Sequence, residues 1–415
     1  MAQGPGDQLR CEHRSVQRIG VIGAGIIGLA VARRLTEVLD GVEVTVMDKE
    51  DRVAVHQTGH NSGVVHAGLY YPPGSLKATL CRRGTALLKD YCAGRGLPYQ
   101  ECGKVVVAVT EAELPGLERL RQRAEANGVP GLRRLDGAGL REVEPHAGGV
   151  AALHSPHTAI TDFAAVAEGY AADLTARGGR VRLGFGVSGI RERAGRVEVR
   201  GPGEILGFDR LIVCAGLYGD VVAGWAGDGA EPAIVPFRGE YYALRPERGH
   251  LVNGLIYPVP DPGYPFLGVH FTRRVGGRVD VGPNAVLALA REGYRRRDVV
   301  PRDVARTLAW PGFRRLARRH WRTGLAEIAG SLSRSVYLSR ARRYLPELRP
   351  DDVAPAPSGV RAQAVDRDGA LVDDFRIHHR GAVTAIRNAP SPAATSSLAI
   401  AEYVVDRIVE HSTMP

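Results

Sequence analysis

The chain has 415 residues, of which 44% are hydrophobic and 24% are charged, with a formal net charge of +10. This length and apolar content are typical of a folded protein with a large core, and they exclude a chain that is mainly disordered. Because we find no run of about 20 apolar residues and no secretory-signal pattern at the start, we expect no transmembrane helix and a cytoplasmic location.

Strands and helices are predicted in chain order from hydrophobic periodicity and turn residues. A strand beginning at Ile19 is followed by a glycine turn and by apolar residues at helical spacing as far as Leu35. Further strands are predicted at Val42–Asp48, Val181–Leu183, Val197–Arg200, Leu211–Cys214, Tyr241–Leu244, Phe266–Phe271, Val279–Val281, Ala370–Phe375 and Val383–Ile386. Further helices are predicted at Arg82–Tyr91, Leu114–Ala126 and Phe163–Ala176, within 286–344, and at Ala393–Val409. This order predicts an α/β fold in which a parallel-sheet nucleotide domain is interrupted by insertions and lies beside an antiparallel sheet.

The residue pattern argues against several kinds of site. The five cysteines are odd in number and irregularly spaced, which predicts free thiols and not a disulfide framework. His56 and His60 have the spacing of a metal-binding pair, but Gly59 and Gly63 disfavour a helix there and no third ligand completes the set, so we expect no metal. Neither a Walker A sequence nor a G-x-S-x-G nucleophile motif is present.

A dinucleotide-binding motif follows the first predicted strand. Gly23, Gly25 and Gly28 form a G-x-G-x-x-G sequence that opens a helix, and Asp48 ends the next strand. The first glycine permits the tight turn, the second lets a pyrophosphate approach the backbone, and the third allows the helix to pack closely on the strand. The helix N-terminus then offers unpaired N–H groups to the phosphates, and Asp48 is placed to accept hydrogen bonds from a ribose.

The dinucleotide is predicted to be FAD. Only one such motif is present, whereas a pyridine-nucleotide disulfide oxidoreductase would carry a second for its nicotinamide cofactor. A later apolar strand, Leu211–Cys214, ends in Ala215 and Gly216, and flavoproteins use such a strand to bring the backbone close to FAD.

Several longer sequence blocks carry a resemblance to a known family. They are His56–Tyr71 (HQTGHNSGVVHAGLYY), Phe237–Tyr241 (FRGEY), Leu255–Pro262 (LIYPVPDP), Val281–Ala285 (VGPNA), Gly359–Gln363 (GVRAQ) and Asn388–Thr395 (NAPSPAAT). Together they closely resemble the L-2-hydroxyglutarate oxidases and dehydrogenases, which belong to the D-amino-acid oxidase-like superfamily. The resemblance extends from about Ile19 to the last helix.

The resemblance implies a two-domain FAD enzyme. Its FAD-binding domain, of the glutathione-reductase-like Rossmann type, would comprise residues 18–90, 149–232 and 344–411, and an antiparallel-sheet substrate domain would comprise 91–148 and 233–343. The implied reaction is oxidation of L-2-hydroxyglutarate to 2-oxoglutarate by hydride transfer from C2 to flavin N5, with electrons passed to a quinone or to oxygen. The alternative is the same chemistry on another small hydroxy acid, an amino acid or glycerol 3-phosphate.

Cofactor-binding residues are predicted at the glycine turn, the following loop and two later turns. They are Gly23, Gly25, Ile26, Ile27, Gly28, Asp48, Lys49, Thr58, Asn61, Ser62, Gly63, Ala215, Gly216, Ser391, Ala394 and Thr395.

Arginine is the expected ligand for a substrate carboxylate, because its planar fork binds both oxygens. Superfamily members place a carboxylate-binding arginine where this chain has Arg361. A dicarboxylate needs a second cationic or hydrogen-bonding cluster, for which Arg238 and Arg273 are candidates. Tyr70, Tyr71 and Tyr242 are further candidates as hydroxyl donors, although a buried tyrosine is more often part of the core.

Histidine is the expected proton acceptor, since its pKa lies near neutrality. His270 lies on the predicted strand Phe266–Phe271, and a comparable strand carries a catalytic histidine in sarcosine oxidase-like relatives. His66 resembles the histidine of the His-Gly-Gly-Leu-Arg-Tyr segment in glycerol-3-phosphate dehydrogenases. Both remain candidates for proton transfer.

The basic charge is almost entirely arginine, because lysine occurs only at positions 49, 77, 89 and 104. Such a skew is typical of a GC-rich coding sequence, so we expect no nucleic-acid partner. Arg314, Arg315, Arg318, Arg319 and Arg322 are predicted on one helix face, with Phe313, Leu316, Ala317, His320 and Trp321 between them. A basic amphipathic helix of this kind either contacts an anionic membrane peripherally or is a solvated face.

Overall fold

A computed structural model describes residues 16–193, 195–261 and 267–413. The strands are β1 Gln17–Ile22, β2 Val42–Met47, β3 Val64–Val65, β4 Tyr99–Glu101, β5 Lys104–Ala108, β6 Arg133–Asp136, β7 Ala151–Ser155, β8 Ala159–Thr161, β9 Arg180–Arg182, β10 Gly189–Arg193, β11 Arg196–Arg200, β12 Ile205–Phe208, β13 Arg210–Val213, β14 Ala233–Leu244, β15 Leu255–Pro258, β16 His270–Arg273, β17 Val279–Gly282, β18 Val286–Leu287, β19 Val353–Val365, β20 Arg376–Arg380 and β21 Val383–Asn388. The helices are α1 Ile26–Val38, α2 Leu76–Arg95, α3 Leu114–Ala126, α4 Gly137–Val143, α5 Phe163–Ala176, α6 Gly219–Trp225, α7 Pro301–Ala309, α8 Pro311–Arg319, α9 Trp321–Leu332, α10 Arg334–Ala341 and α11 Ser397–Thr413.

The first sheet is the predicted parallel sheet. Its strand order is β20-β21-β13-β1-β2-β9, and every neighbouring pair is parallel except β20 with β21. Strand β1 is fully buried from Ile19 onward, which explains its unbroken apolar sequence. Helices α1, α5 and α11 bury their apolar faces in one common core with this sheet. The predicted βαβ unit is therefore confirmed.

The second sheet carries the substrate side of the molecule. Its strand order is β18-β14-β17-β16-β15-β5-β7-β6, and β19 pairs with β14 outside this path. Most pairs are antiparallel as predicted, but β5 and β15 run parallel. One face, which includes Val105, Ile256 and Phe271, packs against Leu338 of α10. The opposite face carries Lys104, Leu255 and Thr272, which are paired across neighbouring strands.

Two small sheets complete the fold. Strands β10, β11 and β12 form an antiparallel meander beside the parallel sheet, and β3, β8 and β4 form a second three-stranded sheet. The α/β class, with a Rossmann-type sheet and a largely antiparallel sheet, agrees with the sequence-based prediction.

Some element boundaries differ from the predictions. Helix α2 is longer than predicted because the Ser75 hydroxyl accepts from the Ala78 N–H at its start and Gly96, with φ +64°, ends it. The last helix begins at Ser397 and not at Ala393, since 391–396 form a turn. The strand predicted at Ala370–Phe375 is wrong: only Leu371 forms an isolated bridge, and the strand is β20. Part of the strand predicted at Phe266–Phe271 falls outside the described residues, and β16 begins at His270.

The sheets also divide the chain differently from the predicted domain segments. Strand β7 pairs with β5 in the second sheet, although residues 149–232 were assigned to the FAD-binding domain. Strand β19 pairs with β14 over most of its length, although 344–411 received the same assignment. Both strands are placed by partners far away in sequence, so local patterns do not reveal their sheet.

Within the described ranges, no helix combines the length and apolarity needed to cross a bilayer. Cys81, Cys92, Cys102 and Cys214 are free thiols, as predicted, and Cys11 lies outside the described residues.

Candidate cofactor and substrate site

The glycine turn after β1 has the geometry that a dinucleotide requires. Gly23 has φ +109°, and a Cβ there would lie 2.3 Å from the Cys214 carbonyl oxygen. A Cβ on Gly28 would lie 2.0 Å from the Gly23 carbonyl oxygen, so helix and strand are in close contact. Helix α1 starts at Ile26, directly after the turn. The turn thus presents backbone without side chains at a helix N-terminus, which is where a pyrophosphate binds.

Asp48 and Thr58 hold this turn in place. The Asp48 carboxylate accepts from the Ala24 N–H at 2.6 Å and from the Glu50 N–H at 2.9 Å. The Thr58 hydroxyl accepts from the Ile26 N–H at 3.0 Å. Asp48 remains partly exposed at the end of β2, so it can accept further hydrogen bonds from a ribose. These residues fit the adenosine and pyrophosphate part of FAD.

Lys49 lies in a charged cluster next to Asp48. Its ammonium lies 2.8 Å from Glu292 and also contacts Glu50 and His56. In the described part of the chain, Glu50, His56 and Glu292 are the one group whose ligand atoms lie close enough to hold a metal ion. The Lys49 ammonium forms ion pairs with both carboxylates of this group.

The loop after β2 is joined to the second sheet. The Asn61 carboxamide accepts from the Gly63 N–H at 2.7 Å, and the Arg274 guanidinium donates to the Asn61 carbonyl oxygen. A Cβ on Gly359 would lie 2.5 Å from the His60 carbonyl oxygen, so β19 passes directly against this loop. Among the described residues, Ser62 forms no hydrogen bond with another residue. The predicted flavin loop therefore lies between the two sheets.

Two later turns approach the same region. Gly216 follows β13 with φ +49°, and a Cβ there would lie 3.0 Å from the Gln57 amide oxygen. The Thr395 hydroxyl accepts from the His66 N–H at 3.1 Å, and the Ser391 hydroxyl lies 3.3 Å from His66 Nε2. Gly216 thus lies beside Gln57, and Ser391 and Thr395 lie beside His66, although these segments are far apart in sequence.

The two candidate histidines lie close together. Burial is the largest cause that lowers the pKa of His66 well below its ordinary value, and Lys104, His270 and Lys77 contribute less. His66 Nδ1 is buried without a hydrogen-bond partner among the described residues. His270 Nδ1 lies 2.8 Å from the Gly268 carbonyl oxygen, which can only accept, so Nδ1 carries the proton and Nε2 is an acceptor. Burial lowers the pKa of His270 to about 3, which keeps its ring neutral.

Arg361 shares a sheet face with His270, whereas Arg238 and Arg273 lie on the opposite face. The charge of Arg361 contributes to the lowered pKa of His270. Arg238 is buried and forms an ion pair with Glu240 at 3.1 Å. Arg273 donates to the Val252 carbonyl oxygen at 3.1 Å, on the strand face opposite to His270. Neither Arg238 nor Arg273 is available as a free second cation beside His270.

The predicted tyrosines also separate. Tyr71 is buried beside Cys81, and the Lys77 ammonium lies 5.1 Å from its ring centre. Tyr242 packs edge-on against Tyr337, with ring centres 5.0 Å apart, in the core on the other face of the sheet. Tyr71 therefore lies near His66, whereas Tyr242 lies on the other face of the sheet and is not part of this site.

Sequence reasoning missed Tyr257 and Lys104, which lie beside His270, and Arg274, which joins the second sheet to the flavin loop. The Tyr257 ring lies 4.0 Å from the His270 ring, and the Lys104 ammonium lies 4.1 Å from the centre of the Tyr257 ring. Arg274 reaches both Asp280 and the flavin loop. The period of two along β16 would have favoured Arg274 over Arg273, because 270, 272 and 274 share a face.

Comparison with known proteins identifies the family. Residues 18–407 match the family described as FAD dependent oxidoreductase. The chain is 45% identical to the mitochondrial L-2-hydroxyglutarate dehydrogenase of Nematostella vectensis, over 95% of this chain and 91% of that protein. It is 44% identical to the L-2-hydroxyglutarate dehydrogenase of Indibacter alkaliphilus, over 93% and 97% respectively.

Solved structures agree on the fold. L-alpha-glycerophosphate oxidase from Mycoplasma pneumoniae, solved with FAD bound, has a TM-score of 0.77 at 22% identity and covers 94% of each chain. Glycine oxidase from Geobacillus kaustophilus has a TM-score of 0.71 at 17% identity and covers 95% of each chain. The chain is an FAD-dependent oxidoreductase and belongs to the family of the L-2-hydroxyglutarate dehydrogenases.

Proposed function

We propose that this enzyme oxidises L-2-hydroxyglutarate to 2-oxoglutarate. The observation that carries the proposal is the identity of 45% over nearly the whole chain with a relative named for this activity. A neutral histidine with a free Nε2 and a nearby arginine, His270 and Arg361, supply the groups that a 2-hydroxy acid requires.

The residues of this chain would act as follows. Arg361 binds the C1 carboxylate and orients C2, since a guanidinium can bind both carboxylate oxygens. His270 Nε2 accepts the hydroxyl proton, because Nδ1 is already committed to the Gly268 carbonyl oxygen. His66 is the second candidate for this role. FAD supplies the two-electron acceptor when bound.

A panel of substrates tests the proposal. The purified, FAD-replete enzyme is mixed with L-2-hydroxyglutarate, L-2-hydroxybutyrate, glycerol 3-phosphate, glycine and L-proline, and kcat/KM is measured with an artificial electron acceptor. We expect L-2-hydroxyglutarate to give the highest kcat/KM, by a factor of roughly 10–100, because one paired carboxylate contributes roughly 1.5–3 kcal/mol. A higher value for any of the others would replace the proposed substrate.

We further propose that a membrane quinone reoxidises the enzyme and that α9 contacts an anionic membrane. Helix α9 exposes apolar residues and buries polar ones, the reverse of an ordinary surface helix. Its exposed side chains, at 49–74% exposure, are Trp321, Leu325, Ile328 and Leu332, while Glu327 and Ser331 are buried. Exposed arginines lie on the preceding helix α8 and in the first turn of α9, at Arg314, Arg315, Arg318, Arg319 and Arg322. Apolar residues flanked by cations match an anionic lipid surface.

The prediction that five arginines share one basic helix is wrong, because two helices cover this segment. Helix α8 ends at Arg319, and His320 leaves the helical conformation with φ −118° and ψ 24°. Arg322 lies on α9, so the five arginines do not share one helix. Leu316 is buried, whereas the apolar residues of α9 face solvent.

Flotation with vesicles tests this surface. We expect the wild type to float with phosphatidylglycerol vesicles at low salt and to bind less at high salt, because exposed charges are screened. Leu325→Ser with Leu332→Ser should reduce the bound fraction at least about fivefold, since two buried leucines contribute roughly 1.5–3 kcal/mol each. Leu183→Ser with Ile205→Ser, which changes exposed apolar residues elsewhere, should leave it unchanged. A wild type that stays unbound, or that dimerises through this stripe, would contradict the proposal.

A further inference from the structure

Lys104 is a buried cation without a partner. It opens β5 and is 1% exposed, and its ammonium has no hydrogen-bond acceptor among the described residues. Two aromatic rings lie beside it: the ammonium lies 4.1 Å from the centre of the Tyr257 ring and 5.3 Å from that of Tyr70. The Tyr70 hydroxyl is also buried without a partner in the described part of the chain.

A buried ammonium without a hydrogen-bond acceptor lowers the stability of the folded state. Removing an ammonium from water destabilises the folded state, and contact with two aromatic rings offsets only part of that penalty. The chain's other buried lysine, Lys77, shows the usual solution, because its ammonium lies 2.9 Å from the Asp373 carboxylate. An anion that is absent from the protein itself would complete the site at Lys104.

The topology places Lys104 and Arg361 on opposite sides of His270. Arg361 lies on β19 and Lys104 on β5, while β16, with His270, lies between them in the order β19-β14-β17-β16-β15-β5. Lys104 pairs with Leu255 and Leu255 with Thr272, so Lys104 shares a sheet face with Tyr257 and His270. Both cations are near enough to lower the pKa of His270. A substrate whose C2 lies at His270 would thus meet a cation at each end.

We propose that Lys104 binds the carboxylate at C5 of the substrate and makes the site selective for dicarboxylates. This role rests on the proposed function and extends it, because it names the group that recognises the second carboxylate. It fills the role for which Arg238 and Arg273 were the sequence-based candidates. Tyr70, whose hydroxyl is also unpartnered, is placed to donate a hydrogen bond to the same carboxylate.

Binding should then be coupled to a proton. Burial lowers the pKa of Lys104 to about 7, and the nearby groups are the Cys81 and Cys102 thiols, Tyr70, Tyr257, His66 and His270. Below pH 7 the ammonium is already present and binds a dicarboxylate without proton uptake. Above pH 7 the amine is largely neutral, so a proton must bind with the ligand and affinity falls by up to about tenfold per pH unit.

The variants Lys104→Met and Lys104→Arg test the assignment. Glutarate binding to the FAD-loaded enzyme is measured by calorimetry between pH 6 and 9, which does not depend on turnover. We expect Lys104→Met to bind glutarate about 100-fold more weakly at pH 6.5, while KM for L-2-hydroxybutyrate stays within about twofold of the wild-type value. Lys104→Arg should abolish the decline of affinity above pH 7, since a guanidinium keeps its charge.

The control is Lys77→Met, which removes a buried lysine that already has a carboxylate partner and should leave glutarate binding within about threefold. Loss of the unpaired buried charge should leave the unfolding temperature of Lys104→Met equal to or above that of the wild type. Glutarate affinity in Lys104→Met within twofold of the wild-type value, or an unchanged pH dependence in Lys104→Arg, would overturn the assignment. A wild-type enzyme inactive on L-2-hydroxyglutarate would instead overturn the proposed function.

Discussion

Replacing His270 by alanine is expected to lower kcat by roughly 10²–10⁴-fold, the usual contribution of a positioned acid–base group, while FAD stays bound. The reason is the arrangement of the ring: Nδ1 donates to the Gly268 carbonyl oxygen at 2.8 Å, and Nε2 is left as an acceptor. None of the contacts around the glycine turn involves His270, so the absorbance of the bound flavin near 450 nm should be unchanged. Steady-state kcat and the flavin-to-protein absorbance ratio are the measurements.

The pH dependence gives a second readout for His270. Burial lowers its pKa to about 3, so the ring stays neutral well below pH 6.5. We expect no loss of kcat from protonation of His270 between pH 8 and pH 5. His154→Ala is the control, because His154 is also a buried histidine, on β7, and lies away from the site against Arg133. A His270→Ala enzyme with kcat within about threefold of the wild-type value would transfer the role to His66.

Replacing Gly23 by alanine is expected to abolish FAD binding. The added Cβ would lie 2.3 Å from the Cys214 carbonyl oxygen, and this atom belongs to the backbone and cannot move aside as a flexible side chain would. The turn must shift, and the backbone that receives the pyrophosphate shifts with it. We expect a purified protein without yellow colour, with an absorbance ratio at 450 and 280 nm near zero.

Gly41→Ala separates this clash from ordinary backbone strain. Gly41 also has a positive φ, +65°, but a Cβ there meets nothing within 4 Å. Its cost should be confined to roughly 1–2 kcal/mol for a left-handed alanine, and FAD should remain bound. Circular dichroism shows whether Gly23→Ala is folded. A folded Gly23→Ala protein that retains FAD would contradict the placement of the cofactor on this turn.

The parallel sheet and the glycine turn were predictable because their signals are local. The apolar run from Ile19, the three glycines and Asp48 lie within one βαβ unit, and the structure reproduces their order. The assembly of the site was harder to predict from the sequence. His66 and His270 lie in one region only because the flavin loop packs against the second sheet. They were predicted from the sequence resemblance and not from a local pattern.

Lys104, the second cation that we propose, was missed in the sequence for a physical reason. Arg238 and Glu240 are two residues apart on one strand face, where their side chains form an ion pair, so Arg238 already has a partner within the protein. Lys104 heads the apolar strand Lys104–Ala108, every residue of which is buried. From sequence alone, a lysine at the start of such a strand is expected to lie at the surface. Only the three-dimensional structure shows that its ammonium is buried and has no hydrogen-bond acceptor among the described residues. The apolar stripe of α9 depends similarly on distant contacts, since Glu327 is buried by bonding to Ala285 and Arg340.

Anaerobic mixing of the FAD-loaded enzyme with each enantiomer of 2-hydroxyglutarate tests the central claim most directly. The account predicts that the L enantiomer bleaches the 450 nm absorbance and yields one 2-oxoglutarate per flavin, while the D enantiomer leaves the spectrum unchanged over the same time. A flavin that stays oxidised with the L enantiomer, or that is reduced equally fast by both, would contradict it.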